Sequence, residues 1–457
     1  MNTCNNQRRF DVVIIGAGFA GSATALQIAR CATRPVRVLL LDRDGAFGRG
    51  LAYRMTAETH LLNVPKHLMG AWPDRIGEFA DSAGPHEDAF VTRSRYGDYL
   101  EALLKEAAKN GGITQVADEA IDLVKRAETF SVTTRRGPIA EASSVVLALG
   151  NFPPSRTLVG AASLTSPRYV EDPLHDAALD RVENGDIVLV AGSGLTALDC
   201  IVSLHRRRPA KIHVVSRRGL LPHAHTWSSE TFNIAEILSG CDHTAGKAFR
   251  LVRVAIKRHA AHGGDWRDVI DALRPVTQEL WSRFDLRERR RFMRHVRPYW
   301  EKARHRCAPQ VLAEVQGLID SGFVEVDAAR ITQLIATNDA LVANVVDRRT
   351  QAVRKLRASW LFNCTGPEND CFRVDNPLVK NLLRRGLIDP HPTRLGIQAT
   401  PLGHVIGRDG IAVGNLFAIG SLLKGVLYET TAVPEIRHQA RNLGERCAHL
   451  VRAAGAA

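Results

Sequence analysis

Residues 10–30, FDVVIIGAGFAGSATALQIAR, decide the fold. A continuous apolar run leads directly into three glycines at G-x-G-x-x-G spacing, Gly16, Gly18 and Gly21, and a second apolar run follows. This order predicts a buried parallel strand, a tight turn and a helix whose N-terminus faces a phosphate group. Because the glycines interrupt the apolar stretch, a membrane span is disfavoured here, and we expect no integral membrane association.

The segment that follows supports a dinucleotide-binding fold. Residues 36–44, VRVLLLDRD, read as the next strand, and Asp42 closes it 26 residues after Gly16. A carboxylate at this point accepts hydrogen bonds from ribose hydroxyls. A hairpin and an apolar strand are expected over residues 129–150, ending in VVLALG at Gly150.

The same plan recurs later in the chain. Residues 186–199, DIVLVAGSGLTALD, contain Gly192, Gly194 and Ala197 at the same spacing. The matching strand end carries Ser216 and Arg217 instead of an acid. Losing a carboxylate and gaining a guanidinium group favours a 2′-phosphate, and so NADP over NAD.

Two alternatives remain open at this strand end. Arg217 and Arg218 are solvated surface charge if no phosphate binds there. If one does, Arg217 is the predicted phosphate contact, and Arg218 is placed to stack on an adenine ring.

The repeat predicts an α/β fold with two Rossmann-like dinucleotide-binding domains and a helical insert. The second copy is longer than the first, and its helix-rich, polar stretch lacks strand alternation. The expected domains are residues 10–155 with 355–457, residues 183–228 with 309–354, and the insert at residues 229–308.

Composition narrows the function classes. The chain has 457 residues, of which 45% are hydrophobic and 24% charged, as in ordinary globular proteins. Its eight cysteines are scattered and form no C-x-x-C pair, which disfavours zinc ribbons and dithiol redox centres. This cysteine usage favours a reduced, cytoplasmic setting. No metal site is expected, because no His, Asp or Glu cluster has ligand spacing.

The net charge of +13 is concentrated in the insert. Residues 283–306 hold nine arginines and one lysine against three acidic residues. The spacing of Phe292, His295, Val296 and Tyr299 predicts one inward-packing helix face rather than stacking platforms for bases. Nucleic acid is therefore disfavoured as a partner, and both a solvated helix and a site for an anionic substrate stay open.

Further motifs give the chain a family resemblance. It resembles the two-dinucleotide-binding-domain flavoproteins, the class of glutathione-reductase-like enzymes and NADPH-dependent flavin monooxygenases. Within that class it is most similar to bacterial FAD-NAD(P)-binding oxidoreductases. The motifs that carry the resemblance, besides the two glycine loops, are GRGLAY (48–53), HLLNVP (60–65), RYGDYL (95–100), LALGNFPP (147–154), SRRGLLPHAH (216–225), RHRCAP (304–309), NCTGP (363–367) and YETTAVPEIR (428–437).

The resemblance implies FAD in the first domain and NADPH in the second. It implies an oxidoreductase that takes a hydride from NADPH and uses reduced flavin on a small organic substrate, as a monooxygenase. An NAD(P)H-dependent flavin reductase or dehydrogenase without oxygen insertion is the first alternative. A flavin-binding redox sensor without turnover is the second. The substrate and the oligomeric state stay open.

Two departures from the class bear on these expectations. Gly420 and Ser421 stand where the class has Gly-Asp, whose acid binds the ribityl chain. The F-x-G-x-x-x-H stretch of flavin-containing monooxygenases is not found before the second glycine loop.

The resemblance also implies where the chemistry lies. It places HLLNVP beside the flavin ring, so Asn63 is a candidate flavin contact and His60 a candidate proton relay, although a lone histidine is often structural. His225 is the candidate on the nicotinamide side. The accompanying pocket candidates are His67, Trp72, His223 and Trp227.

The predicted cofactor contacts end at the final helix, expected from about Val433. Thr431 and Ala432 precede it, and the resemblance points this helix N-terminus at the flavin, where its dipole stabilises negative charge. Gly150, Gly366 and Gly420 complete the set of predicted cofactor-binding residues.

Overall fold

The computed structural model of the chain describes residues 8–55, 58–82, 89–109, 111–154, 158, 164–173, 176–226, 232–234, 237 and 239–454. Trp227 lies outside the described residues. The chain divides into two compact units. The first unit comprises Met1–Thr56, Pro65–Phe152 and Asn369–Ala457, and the second unit comprises Ala57–Val64 and Pro153–Glu368. The domain boundaries given above stay a prediction, because this division does not identify what each unit binds.

The strands of the described residues are β1 (Arg8–Ile15), β2 (Val38–Asp42), β3 (Ile113–Ala117), β4 (Ala120–Lys125), β5 (Phe130–Thr134), β6 (Gly137–Leu147), β7 (Phe152–Pro154), β8 (Tyr169–Val170), β9 (Ile187–Ala191), β10 (Lys211–Ser216), β11 (Val324–Ala336), β12 (Leu341–Asp347), β13 (Val353–Ala358), β14 (Trp360–Asn363), β15 (Pro367–Glu368), β16 (His404–Ile406) and β17 (Ala412–Ala418).

The α-helices are α1 (Phe19–Cys31), α2 (Gly50–Tyr53), α3 (Glu78–Ser82), α4 (Arg93–Lys109), α5 (Asp176–Leu179), α6 (Leu195–His205), α7 (Ala245–Ala261), α8 (Trp266–Leu273), α9 (Thr277–Arg283), α10 (Leu286–Arg291), α11 (Arg297–Arg304), α12 (Pro309–Asp320), α13 (Pro377–Arg385), α14 (Lys424–Leu427) and α15 (Val433–Ala454). Short 3₁₀ turns cover Lys66–Leu68, Arg274–Val276 and Gly420–Leu423, and a π-helical turn covers Phe292–Val296.

The first unit is built on a mainly parallel sheet with strand order β16-β17-β6-β1-β2-β3. β5 pairs antiparallel with β6, and β4 pairs with β5. β1 lies between β2 and β6, with Val12 opposite Val38 and Val13 opposite Val145. Val12, Val13 and Ile14 are fully buried, as expected for a strand covered on both faces.

The second unit repeats this plan with strand order β13-β12-β11-β10-β9-β14-β8. β9 lies parallel between β10 and β14, and Val190 is opposite both Val214 and Phe362. β12 and β13 extend the sheet as an antiparallel pair beyond β11. The predicted α/β architecture with two Rossmann-like folds is confirmed, and the parallel strands in each unit carry a glycine loop at their carboxyl ends.

Both glycine loops depend on a close backbone approach. Gly16 has φ of +100°, and a Cβ there would lie 2.2 Å from the Ala148 carbonyl oxygen at the end of β6. Gly192 has φ of +112°, and its Cβ would lie 2.2 Å from the Cys364 carbonyl oxygen at the end of β14. Only glycine tolerates both the backbone angle and the contact.

Residues 245–304 form the helices α7 to α11, in agreement with the helix-rich insert, but one prediction within it is wrong. His295 and Tyr299 are exposed, Tyr299 by 45%, instead of facing inward with Phe292. The π-helical turn changes the angle between successive residues, and Pro298, the second residue of α11, has no backbone donor. The residue spacing that places side chains on one face of a continuous α-helix therefore does not predict the orientation of residues after Phe292.

Two further properties concern the described residues alone. Among the helices that the structure describes, none combines the length and apolar character that a membrane-spanning helix requires. The described residues also hold no group of three or more His, Cys, Asp or Glu side chains arranged to bind a metal ion.

We expect Gly16→Ala to destabilise the first unit more than Gly137→Ala. Gly137 has φ of +117° but open space around its Cβ position, so that substitution costs only backbone strain, about 1–3 kcal/mol. Gly16→Ala adds the clash with Ala148. Chemical denaturation of the two variants measures the difference, and equal losses of unfolding free energy would contradict the close-approach argument.

Candidate dinucleotide-binding sites

Asp42, at the end of β2, shapes the first glycine loop. The Ala17 N–H donates to Asp42 Oδ2 at 3.2 Å, and the N–H groups of Asp44 and Ala46 each donate to Oδ1 at 3.0 Å. The carboxylate therefore ties the glycine turn to the loop after β2. Oδ2 keeps acceptor capacity, since each carboxylate oxygen accepts about two hydrogen bonds. The contact between Asp42 and a ribose stays a prediction.

A second glycine segment packs on this loop. The Gly48 N–H donates to the Ala17 carbonyl at 2.8 Å. Gly50 has φ of +49°, and a Cβ there would lie 2.7 Å from Gly18 Cα. Sequence reasoning used GRGLAY only as a mark of resemblance and missed this role. The signal was present in the two glycines that flank Arg49.

Ser421 connects two of the predicted cofactor-binding glycines. Its hydroxyl donates a hydrogen bond to the carbonyl oxygen of Gly150, just after β6, and it is itself next to Gly420. Gly150 and Gly420 both have positive φ angles, of +67° and +75°. The residue that replaces the acid of the class is therefore a donor to the main chain of the neighbouring loop.

Gln439, in the second turn of α15, links the Gly420 turn to the start of that helix. Its Oε1 accepts from the Gly420 N–H at 3.1 Å, and its Nε2 donates to Thr430 Oγ1 at 2.6 Å. Thr430 Oγ1 lies 3.2 Å from the Gly420 carbonyl oxygen. This network brings Gly150, Gly420 and the residues before α15 together in one place.

The predicted start of the final helix agrees with the structure. α15 begins at Val433, and the Ile436 N–H donates to the Ala432 carbonyl at 3.0 Å, so Ala432 accepts a hydrogen bond of the first turn. Thr431 is exposed and Ala432 is half-buried. N–H groups at the start of a helix have no partner within that helix, so they can serve an anion. Their role towards a flavin stays a prediction.

In the second unit, Ser216 at the end of β10 takes the place that Asp42 has at the end of β2 in the first. Ser193 Oγ lies 2.8 Å from Ser216 Oγ and 2.7 Å from the Leu220 carbonyl oxygen. The Gly219 N–H donates to Ser216 Oγ at 3.0 Å. The turn after β10 is thus held against the glycine loop by neutral hydroxyl groups.

The two arginines of this turn differ in their surroundings. Arg217 is exposed, and no hydrogen bond or ion pair involves it in the part of the chain that the structure describes. Arg218 donates from Nη1 to the Tyr299 hydroxyl at 3.0 Å, and its guanidinium carbon lies 5.1 Å from the centre of the Tyr299 ring. In the structure the ring that Arg218 contacts is that of Tyr299. Its stacking on an adenine ring stays a prediction.

The structure brings together two of the three catalytic candidates. His225 Nε2 donates to the Asn63 carbonyl at 3.0 Å, which fixes the proton on Nε2. Burial lowers the pKa of His225 below its ordinary value, and the hydrogen bond to Asn63 opposes this only in part. The side-chain amide of half-buried Asn63 makes no hydrogen bond within the described residues.

His60 is fully buried, and its Nε2 lies 2.6 Å from Ser203 Oγ on α6. A histidine without solvent contact that is bonded to a helix hydroxyl is typical of a structural residue. Its assignment as a proton relay stays untested.

The remaining pocket candidates have different local environments, each described here within its own unit. Burial, with the positive charge of Lys302, lowers the pKa of His223 to about 4, and its ring centre lies 4.9 Å from that of Trp266. His67 is exposed. Trp72 is 8% exposed, and the guanidinium carbons of Arg30 and Arg75 lie 5.1 and 5.5 Å from the centre of its ring.

Comparison with known families addresses the first unit. Residues 13–152, which contain the first glycine loop, Asp42 and β6, match a family described as FAD-NAD(P)-binding. This part of the chain is therefore similar to FAD-NAD(P)-binding domains. The predicted resemblance is confirmed. The description of the family names FAD and NAD(P), the two cofactor classes that were predicted from the two glycine loops and the resemblance.

A curated relative is the ferredoxin–NADP reductase of Ralstonia pickettii (strain 12J). It is 25% identical over 215 residues, which make up 46% of this chain and 52% of the relative. The chain therefore spans about half the length of this relative.

Two solved structures show the same fold over nearly the whole chain. The ornithine N-hydroxylase of Kutzneria sp. 744, solved with reduced FAD, NADP⁺ and L-ornithine, has a TM-score of 0.67 and 15% identity, and covers 98% of this chain and 100% of its own. The L-lysine 6-monooxygenase of Pseudomonas syringae has a TM-score of 0.63 and 18% identity, and covers 97% of this chain and 99% of its own.

We expect Ser421→Asp to disturb the first unit more than Ser421→Ala. Alanine removes one hydrogen bond to Gly150, which costs about 1 kcal/mol. An ionised carboxylate cannot donate, so aspartate would bring two acceptors together and also displace the Gly150 loop. Thermal unfolding and the amount of flavin retained after dialysis measure both effects. Aspartate acting as well as serine would show that the loop tolerates the acid of the class.

Proposed function

We propose that the protein is an FAD-dependent oxidoreductase that takes a hydride from NADPH and uses reduced flavin on a small organic substrate. One observation carries this proposal: the chain contains two dinucleotide loops with opposite chemistry at the strand end. The first has the Asp42 carboxylate, and the second has the Ser216 hydroxyl with the Arg217 guanidinium group. Hydride transfer is the chemistry that nicotinamide and flavin cofactors carry, and we propose that the NADPH of the second unit reduces the FAD of the first.

The residues of the first unit fit FAD. Gly16, Gly18 and Gly21 would face the pyrophosphate, and Asp42 the ribose of the adenosine half. A Cβ at Gly150 would meet no atom within 4 Å, so this loop is open towards a ligand. The helix N-terminus at Thr431 and Ala432 would stabilise negative charge on a bound group. FAD would supply the two-electron chemistry that side chains lack.

The residues of the second unit fit NADPH. A Cβ at Gly194, or at Gly366 after β14, would meet no atom within 4 Å, so both loops leave space for a dinucleotide. Gly194 is the N-terminal cap of α6 and has no side chain to block the first-turn N–H groups. The exposed Arg217 would bind the 2′-phosphate, and Ser216 avoids the repulsion that an acid would cause.

Asn63 and His225 are the proposed polar contacts for substrate or cofactor in the second unit. His225 is held by the Asn63 carbonyl and kept neutral by burial, so it orients the main chain that carries the Asn63 amide. That amide offers one acceptor and two donors. We assign His60 a positioning role through Ser203, since its complete burial supports no contact with a substrate.

Within this class of oxidoreductase, we propose that the protein is a monooxygenase. It is supported by the near-complete coverage of two amine hydroxylase structures, the ornithine and lysine enzymes described above. The second candidate is a reductase that passes electrons to an acceptor without oxygen insertion, and the Ralstonia reductase relative favours it. The two candidates share the flavin and NADPH steps and differ in the fate of the electrons.

We expect the purified protein to bind FAD and to oxidise NADPH faster when a suitable substrate is added. Ornithine, lysine and a redox-dye acceptor form the first test panel. A monooxygenase gives hydroxylated product in proportion to NADPH consumed, whereas a reductase reduces the dye and yields no hydroxylated product. Absence of FAD binding after incubation with excess FAD would refute the proposal as a whole.

We expect Arg217→Ala to raise the KM for NADPH by about tenfold to a hundredfold, the effect of losing one hydrogen bond to a charged group. The KM for NADH stays unchanged, because NADH has no 2′-phosphate. Arg206→Ala is the matched control, since it removes another exposed arginine of the second unit. An equal change for both coenzymes would place Arg217 outside the phosphate site.

A further inference from the structure

The side chain of Arg218 is fixed by a residue of the helical insert. Tyr299 on α11 accepts a hydrogen bond from Arg218 Nη1 at 3.0 Å, and its ring lies below the guanidinium group at 5.1 Å. Arg218 follows the strand end chosen for the 2′-phosphate, and α11 lies 81 residues further along the chain. A hydrogen bond and a ring contact together restrict a side chain that is otherwise rich in rotamers.

Tyr299 reaches this position because of the break in helix register. The π-helical turn Phe292–Val296 and Pro298 turn Tyr299 out of the packed face and leave it 45% exposed. The ring of Phe249 on α7 lies 6.4 Å from that of Tyr299. A continuous α-helix with the spacing of this sequence would have placed the tyrosine inward instead.

The charges around Arg217 and Arg218, directly after β10, favour the binding of an anion. Arg217 is exposed and unpaired within the described residues, and Arg218 is held by a neutral hydroxyl rather than by an acid. Glu301, two residues beyond Tyr299, is paired with Arg297 at 2.7 Å. Two adjacent guanidinium groups thus keep their positive charge available, and one of them is already oriented.

We propose that Tyr299 is a positioning residue for coenzyme choice: it holds Arg218 next to Arg217, so that two guanidinium groups meet the 2′-phosphate of NADPH. This inference rests on the proposed function. It gives part of the insert a role in NADPH binding, and it assigns the tyrosine an effect on the phosphate alone. Binding of the adenine and ribose of NADH would not depend on Tyr299.

The test compares the binding of two small probes, 2′,5′-ADP and 5′-AMP, by isothermal titration calorimetry. Tyr299→Phe keeps the ring and loses the acceptor, and it should weaken 2′,5′-ADP by about twofold to fivefold, as expected for an exposed charged contact. Tyr299→Leu also loses the ring and should weaken it by about fivefold to twentyfold. Binding of 5′-AMP should not change in either variant.

A double-variant cycle separates positioning from general packing. If Tyr299 acts through Arg218, then Tyr299→Phe has no further effect on 2′,5′-ADP binding in an Arg218→Ala background. Additive losses would mean that the two residues act independently, and they would overturn the proposal. Equal weakening of both probes would also overturn it, because the tyrosine would then only support the fold of the insert.

Lys257→Ala is the control for the overall charge of the insert. Lys257 is exposed on α7, so its loss removes one positive charge without contact to Arg218. The inference requires that this variant bind 2′,5′-ADP as the wild type does, and that all variants keep the wild-type melting temperature and FAD content. If the wild-type protein itself fails to prefer 2′,5′-ADP over 5′-AMP, the NADPH assignment fails. If that preference is as large in both Tyr299 variants as in the wild type, only the role of Tyr299 fails.

Discussion

In each unit a glycine at the end of one parallel strand lies against the carbonyl group that follows the neighbouring strand. Gly16 meets Ala148, and Gly192 meets Cys364, at distances that leave no room for a Cβ. Because the glycine loop packs closely on the neighbouring strand, the helix after it, α1 or α6, begins at the carboxyl ends of the strands. Its first N–H groups then lie where we predict a phosphate contact. The other predicted cofactor residues are arranged around this backbone contact.

The two units combine this shared geometry with opposite electrostatics. In the first, the Asp42 carboxylate accepts three backbone N–H groups and organises two loops at once. In the second, Ser193 and Ser216 hold the turn through neutral hydroxyls, and the adjacent arginines keep their charge. A single fold can therefore favour different dinucleotides, because the choice depends on a few atoms at one strand end.

Contacts between distant segments complete both sites. Ser421 binds Gly150 across 271 residues, and His225 binds Asn63 across 162. In each contact a side chain donates a hydrogen bond to a main-chain carbonyl, and this restricts the movement of the loop that carries the carbonyl. The loops predicted to meet the cofactors are thus ordered by parts of the chain far from the glycine motifs, including the last helix through Gln439.

The sequence by itself determined the two glycine loops, the strands around them and the start of the final helix at Val433. These features depend on local sterics and on apolar periodicity, which are written into adjacent residues. Only the tertiary structure decided that Gly50 packs on Gly18, that Ser421 donates to Gly150 and that Tyr299 faces Arg218. No short-range pattern specifies which distant segments pack together. A single π-helical turn was enough to reverse the face predicted for Tyr299.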